Sequence, residues 1–405
     1  MEKKSYYPLI LLTTICITYF VENFLRSAAG ALTPILIEEL AISHGAMGML
    51  ISAYFFVYGL MQVPSGILSD RLGARKTILV FTMLTIVGIF LFWTSTSYNM
   101  LFVAQFIVGI GCSTFYINAV KLVSTWFPTN KKATAIGILS ASSGLGNTIS
   151  YMGFPIAVAS LGGWRNLYLW MSLILVANWV MNIFILKDNE TLLVNPPSEG
   201  KQSIMSSLLA TVKDRRLWPF LLGYVLSSMA WVFMNWMNQF LMDSRGFTYL
   251  QVGQIASAGT IAGIPGCIAV AAISDRLKRR KATLIGFSIM FAVILITLIN
   301  LPASMGVIPF SLLNFMLNFS GSFWVLYFSM IPETLPASKA SVGLGLVNGI
   351  GTIGFSVITP IYGSLVDITG SYTSSNLMIQ SGAILIPIIF FLFIKECYGG
   401  IAKEE

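Results

Sequence analysis

Apolar runs of about 20 residues or more recur along the whole of this 405-residue chain, and almost every charge falls between them. A run of that length crosses a hydrocarbon layer of about 30 Å as a helix. In hydrocarbon only helices and closed barrels satisfy every backbone polar group. The chain therefore reads as an all-α membrane protein. Its charged fraction of 10%, against about 25% in soluble domains, argues against a soluble globular core. The first run begins near Pro8. It is too long, and followed by too many others, to be a cleaved leader.

Twelve transmembrane helices fit the pattern, at about 8–37, 46–68, 77–96, 100–127, 133–160, 164–187, 216–243, 250–273, 282–300, 303–331, 340–366 and 373–396. They divide into an N-terminal six-helix bundle over 1–187, a polar cytoplasmic linker over 188–215 and a C-terminal six-helix bundle over 216–405. The division follows from a repeat. Ser69-Asp70-Arg71-Leu72-Gly73-Ala74-Arg75-Lys76 returns 205 residues later as Ser274-Asp275-Arg276-Leu277-Lys278-Arg279-Arg280-Lys281. At the same offset Gly144-Leu145-Gly146 matches Gly349-Ile350-Gly351, and Pro155 matches Pro360. A constant offset at three places implies two halves of one topology, pseudo-symmetric about an axis along the membrane normal.

The basic residues set the expected orientation. Of the 24 Lys and Arg, 20 fall on the side that carries both termini, including Lys3, Lys4, Lys131, Lys132, Lys201, Lys339 and Lys403. The other side has Arg165 and Arg245. This asymmetry predicts cytoplasmic termini in an inner or plasma membrane. The net charge of +8 then reads as loops facing anionic lipid, not as a nucleic-acid surface. Cys16, Cys112, Cys267 and Cys397 have no metal-ligand spacing and read as packing residues without disulfides. No nucleophile–base motif, metal cluster or phosphate-binding loop is visible, so neither an enzyme nor a cofactor is expected. The single histidine, His44, reads as a surface residue of the short loop between helices 1 and 2.

Gly66-Ile67-Leu68-Ser69-Asp70-Arg71-Leu72-Gly73-Ala74-Arg75-Lys76, with its degenerate copy at Asp275 and Arg276, resembles the signature of the major facilitator superfamily. The resemblance covers nearly the whole chain. It implies two six-helix bundles and an alternating-access transporter that acts as a monomer. It also implies that Gly66, Asp70, Arg71, Gly73, Arg75, Asp275 and Arg276 form latches that break and re-form as the carrier changes state. Two antiporter motifs are imperfect: Gln105 stands where an Arg precedes Gly109-Ile110-Gly111, and Gly153-Phe154-Pro155-Ile156-Ala157 lacks the expected glycine pair. A closer resemblance is to the branch carrying sugar acids, organophosphates and other organic anions. It rests on Arg26 within helix 1 and on Lys121, seven residues before the proline of Trp126-Phe127-Pro128.

Arg26 and Lys121 lie inside apolar runs, where a charge costs about 2.5–3.5 kcal/mol on insertion scales. Glu22 is one turn before Arg26, on one helix face. The pair reads either as a structural ion pair or as an anion site whose carboxylate exchanges Arg26 for a proton. Lys121 either snorkels to the interface or joins the cleft beside Asn118. Tyr54 and Tyr58 on helix 2, Asn147 and Tyr151 on helix 5, Trp231 and Asn235 on helix 7 and Asn318 on helix 10 are polar-stripe candidates. They serve either as substrate contacts or as interhelical hydrogen bonds. Cations from one half alone favour a small carboxylate or zwitterion, such as a sugar acid, an amino acid or a short peptide. The expectation is proton-coupled symport. Export of a metabolite or metal chelate and a ligand sensor are the rivals.

Overall fold

The computed structural model describes residues 6–188 and 204–398. Among the described residues every long element is helical. The first apolar run forms three pieces, α1 (Tyr7–Arg26), α2 (Ala28–Ala31) and α3 (Thr33–Leu40). Pro34, which has no amide hydrogen, sits in the first turn of α3. Then come α4 (His44–Leu72), α5 (Ala74–Trp93), α6 (Tyr98–Cys112), α7 (Phe115–Trp126), α8 (Thr129–Ser160) and α9 (Trp164–Ile185). A short α10 (Ile204–Val212) lies in what the sequence reads as a polar linker. The rest of that linker, residues 189–203, lies outside the described residues. The chain continues through α11 (Trp218–Arg245), α12 (Tyr249–Leu277), α13 (Arg280–Asn300), α14 (Val307–Gly321), α15 (Trp324–Thr334), α16 (Ala337–Thr369) and α17 (Thr373–Phe393).

Local chemistry explains several of these ends. Pro8 and Pro219 fall in the first turns of α1 and α11, where a missing N–H costs nothing. Thr248 and Gln251 cap α12 reciprocally through backbone and side chain. α11 stops at Gly246, whose φ of 69° suits a residue without a Cβ.

Ten helical segments among the described residues are long and apolar enough to cross a membrane. Two of them join pieces of the first and fourth expected runs, 7–31 and 98–126. α8 is long enough but rich in Gly, Ser, Thr and Asn, and α14 and α15 are each short of a span by themselves.

The chain divides into two compact units. The first comprises residues 1–42 and 49–197. In it α1 packs on α8 and α9, and α5 packs on α6, α7 and α9. Its core includes Leu11, Ile15, Ile78, Phe115, Leu122 and Leu139, all buried. The second unit comprises residues 43–48 and 198–405. Here α11 packs on α16 and α17, α12 on α14, and α13 on α14 and α17. The repeated glycines account for the close approaches. A Cβ on Gly146 would run into the Phe20 carbonyl of α1, and one on Gly351 would run into the Tyr224 ring of α11.

His44 departs from its reading as a free loop residue. It is the first residue of α4, and its Nδ1 lies 2.9 Å from Asp367 Oδ1.

Candidate functional site

The first unit encloses a small cavity lined by Tyr19, Glu22, Asn23 and Arg26 of α1, Tyr54 and Tyr58 of α4, and Cys112 of α6. The four α1 residues share a face because 3.6 residues make a turn. Arg26 is the last residue of α1, where the helix breaks at Ser27. The Ser27 hydroxyl donates to Asn147 Oδ1 of α8 at 2.7 Å, which ties the break to a neighbouring helix.

The Arg26 guanidinium rests against aromatic rings. Its central carbon is 5.7 Å from the Tyr54 ring centre and 5.5 Å from that of Phe55. A cation on the faces of such rings keeps its charge partly solvated without a counter-ion. Tyr54 stacks on Tyr58 with centres 5.7 Å apart. A Cβ on Gly109 of α6 would overlap Val57 and the Tyr54 carbonyl, so that glycine lets α6 approach α4 behind the cavity. The Tyr54 hydroxyl is buried without a hydrogen-bond partner. Such a group marks a point where water or a ligand completes the bonding.

Glu22 is 2% exposed and accepts a hydrogen bond from Thr82 Oγ1 of α5 at 3.4 Å. The ion pair suggested by its spacing from Arg26 is not formed. Among the described residues no carboxylate lies within ion-pair distance of Arg26. The two side chains share a cavity and remain separate.

Other sequence candidates are distributed more widely. Lys121 Nζ donates to the Ser69 hydroxyl at 3.4 Å and the Ser69 carbonyl at 3.5 Å, so it reaches the end of α4 instead of the Arg26 cavity. Asn118 is fully buried and bonds the Thr114 carbonyl at 2.8 Å. Tyr151 is half-buried on α8, one turn beyond Asn147. In the second unit Asn318 donates to the Asn314 carbonyl and side chain at 3.0 Å, and Asn314 donates to the Ile255 carbonyl of α12. This is a bridge between helices. Asn235 keeps a buried amide nitrogen without a partner. The repeat offset sets Trp231 at the position corresponding to Arg26 and Tyr224 at that of Tyr19. Trp231 meets Tyr224 edge-on at 5.7 Å and leans on Phe323 at 5.9 Å. The second unit is therefore aromatic where the first is cationic.

Gly66, Asp70 and Arg71 fall within α4, and the side chains of Asp70 and Arg71 lie outside the described residues. Gly73 adopts φ 81° at the start of α5, and Arg75 N–H donates to Asp188 Oδ1 at 3.0 Å. The second copy repeats the carboxylate on the helix-start amide, but not the backbone conformation. Glu396 accepts from the Arg280 and Lys281 amides at 2.7 and 3.2 Å, as a carboxylate at a helix N-terminus should. Arg280 also binds Asp275 at 2.7 Å and Glu333 at 3.0 Å, while Arg276 is exposed. Asp275 thus pairs five residues along, not with its neighbour.

Sequence reasoning passed over Tyr19, Asn23, Cys112, Asp188, Glu333 and Glu396. Tyr19 and Asn23 carried a signal, their helical spacing to Arg26. The others come from remote segments and carried none.

A family model for the major facilitator superfamily matches residues 15–394. The chain belongs to the major facilitator superfamily. Similar members of the superfamily include a probable sulfoacetate transporter of Cupriavidus necator, 25% identical over 95% of this chain and 93% of the relative. A probable galactarate/D-glucarate transporter of Bacillus subtilis is 24% identical over 91% and 88%. A quinolone resistance transporter of Acinetobacter baumannii is 24% identical over 94% and 93%. As a superfamily member, the chain is a multi-pass membrane transporter.

Proposed function

We propose that this protein is a monomeric secondary carrier that moves a small organic anion, most simply a carboxylate, by alternating access with a proton. Arg26 carries the reading. It lines a cavity, leans on Tyr54 and Phe55 and has no carboxylate partner among the described residues. A planar guanidinium in that situation binds a carboxylate or sulfonate through two parallel hydrogen bonds. The Tyr54 hydroxyl, buried and unpartnered, is suited to donate a third. The names of the sulfoacetate and galactarate/D-glucarate transporters support the same substrate class. Glu22 shares the cavity without bonding Arg26, so taking a proton makes the cavity more positive and favours anion entry. Twelve spans in two halves, with both termini cytoplasmic, complete the reading. In it the Asp70 and Asp275 turns act as latches, and the Asp275–Arg280–Glu333 cluster is the engaged form of the second.

Purified protein in proteoliposomes tests this reading. Labelled sulfoacetate, galactarate and a hexuronate are offered with and without an inward proton gradient. The expectation is accumulation of at least one of them, abolished in Arg26→Gln. Glu22→Gln should still exchange the anion but lose gradient-driven accumulation. Full gradient-driven accumulation by Glu22→Gln would remove the proton role, and equal uptake by Arg26→Gln would remove the anion site. The quinolone resistance relative favours a second reading, export in exchange for a proton. In the same vesicles an exporter would move substrate against the proton flow.

A further inference from the structure

The chain has one histidine, and the fold surrounds it with acid. His44 opens α4, and residues 43–48 belong to the second unit. Three polar groups face its ring, Asp243 from α11, Asp367 from α16 and Tyr372 from the turn after α16, and the Trp236 ring of α11 lies 6.0 Å from it, centre to centre. Nδ1 is 2.9 Å from Asp367 Oδ1, and Nε2 is 3.5 Å from Asp243 Oδ2 and 3.3 Å from the Tyr372 oxygen. The first turn of α4 itself, through Gly48, adds no charge. Arg245, near the end of α11, is turned away to the Ile299 carbonyl and the Phe240 ring.

The proton count decides how this cluster works. Tyr372 spends its one hydroxyl hydrogen on Asp243 Oδ2, at 2.6 Å. A neutral imidazole that donates from Nδ1 to Asp367 would turn a bare Nε2 lone pair towards two oxygens that have no hydrogen to offer. Only the imidazolium donates from both nitrogens at once. One of these carboxylates also holds the backbone: Asp367 accepts from the His44 amide at 3.0 Å and the Gly45 amide at 2.7 Å. Packing beneath is tight. A Cβ on Gly48 would overlap Pro360, and one on Gly363 would overlap the His44 carbonyl. A solvent-open pocket of about 480 Å³, lined by His44, Asp243, Asp367 and Tyr372, gives the ring a route for proton exchange.

We propose that His44 is a proton-operated clasp that holds the first turn of α4 on α11 and α16 when protonated and releases it when neutral. The remainder of α4 carries Tyr54 and Tyr58 of the Arg26 cavity. The clasp therefore lets the acidity around the His44 pocket bias the element that walls the substrate site, by a proton distinct from that of Glu22. The proposal does not depend on which anion is carried.

A single histidine makes the test direct. Protein labelled with ¹⁵N-histidine gives one imidazole signal set, which reports the protonation of His44. In a cysteine-free background, spin labels at Ser43→Cys and Thr369→Cys report the separation of the α4 start from the α16 end. Both are followed from about pH 5.5 to about pH 8.5, the range in which histidine titrates. The expected result is one short separation with the ring doubly protonated, and a longer population that grows as the ring loses its proton. His44→Gln should abolish the pH response, and Glu22→Gln should leave it intact. A separation that stays constant while the ring titrates would overturn the clasp. So would a pH response that survives in His44→Gln or vanishes in Glu22→Gln.

Discussion

Arg26 and Asp214 solve the same problem in opposite ways. Arg26 rests on rings without a carboxylate partner among the described residues. Asp214 is saturated. Its carboxylate binds the Arg216 guanidinium and Lys339 Nζ, each at 3.0 Å, and is 7% exposed. The hydrogen bonds from Arg216, then from Lys339, hold its pKa well below the usual carboxylate range, against the opposing effect of burial. A lowered folded pKa contributes stability that is present above the unfolded value and lost as pH falls through the folded one. Asp214→Asn should therefore cost about 1 kcal/mol at neutral pH, a modest figure because Arg216 is 42% exposed and screened by solvent. The gap from wild type should close as the pH drops below the carboxylate range. Thermal unfolding of the two proteins across pH checks this, and a gap that stays constant with pH would contradict it.

Elements meet where the sequence repeats, and the two copies are not equally comfortable. Gly73 begins α5 with φ 81°, and its counterpart Lys278 ends α12 with φ 52°. The first is glycine; the second carries a side chain in the left-handed region, which costs about 1–2 kcal/mol. Lys278→Gly should raise stability by about 1 kcal/mol, less whatever glycine adds to unfolded-state entropy. Denaturation of the variant decides it, and a loss of stability would mean that the Lys278 side chain makes a contact worth more than the strain. The glycines inside helices have the opposite use. Gly146 and Gly351 are places where a neighbouring helix occupies the room a Cβ would need. A repeat in the sequence thus corresponds to a repeated packing requirement.

At the scale of the whole molecule, the alternating access proposed for this transporter requires contacts that can break. The Asp275–Arg280–Glu333 cluster suits that role. It ties the start of α13 to α12 and α15 through side chains at the ends of helices. Arg280→Gln should lower the transport rate about tenfold or more while changing ligand affinity about twofold or less, because the anion site proposed at Arg26 is built from residues of the first unit alone. Parallel flux and ligand-induced thermal shifts measure the two quantities. Equal loss of both would make the cluster part of the binding site, and no loss of either would make it only a structural bridge.

Periodicity and composition by themselves determined the membrane class, and the signature turn with its copy pointed to the superfamily. These are local or repeated properties: hydrocarbon demands long helices, and a turn motif is contiguous. Arg26 stood out for the same reason, as a charge in an apolar run. The partners of the charges were decided only by tertiary structure. Glu22 turns to Thr82 on α5 although Arg26 is one turn away, and Asp275 binds Arg280 and not Arg276. Lys121 reaches Ser69, and His44 finds Asp243 and Asp367 some 200 and 320 residues further along. An ion pair or hydrogen bond forms within a few ångströms in space, so sequence spacing along one helix can nominate a pair but the packing of helices chooses it.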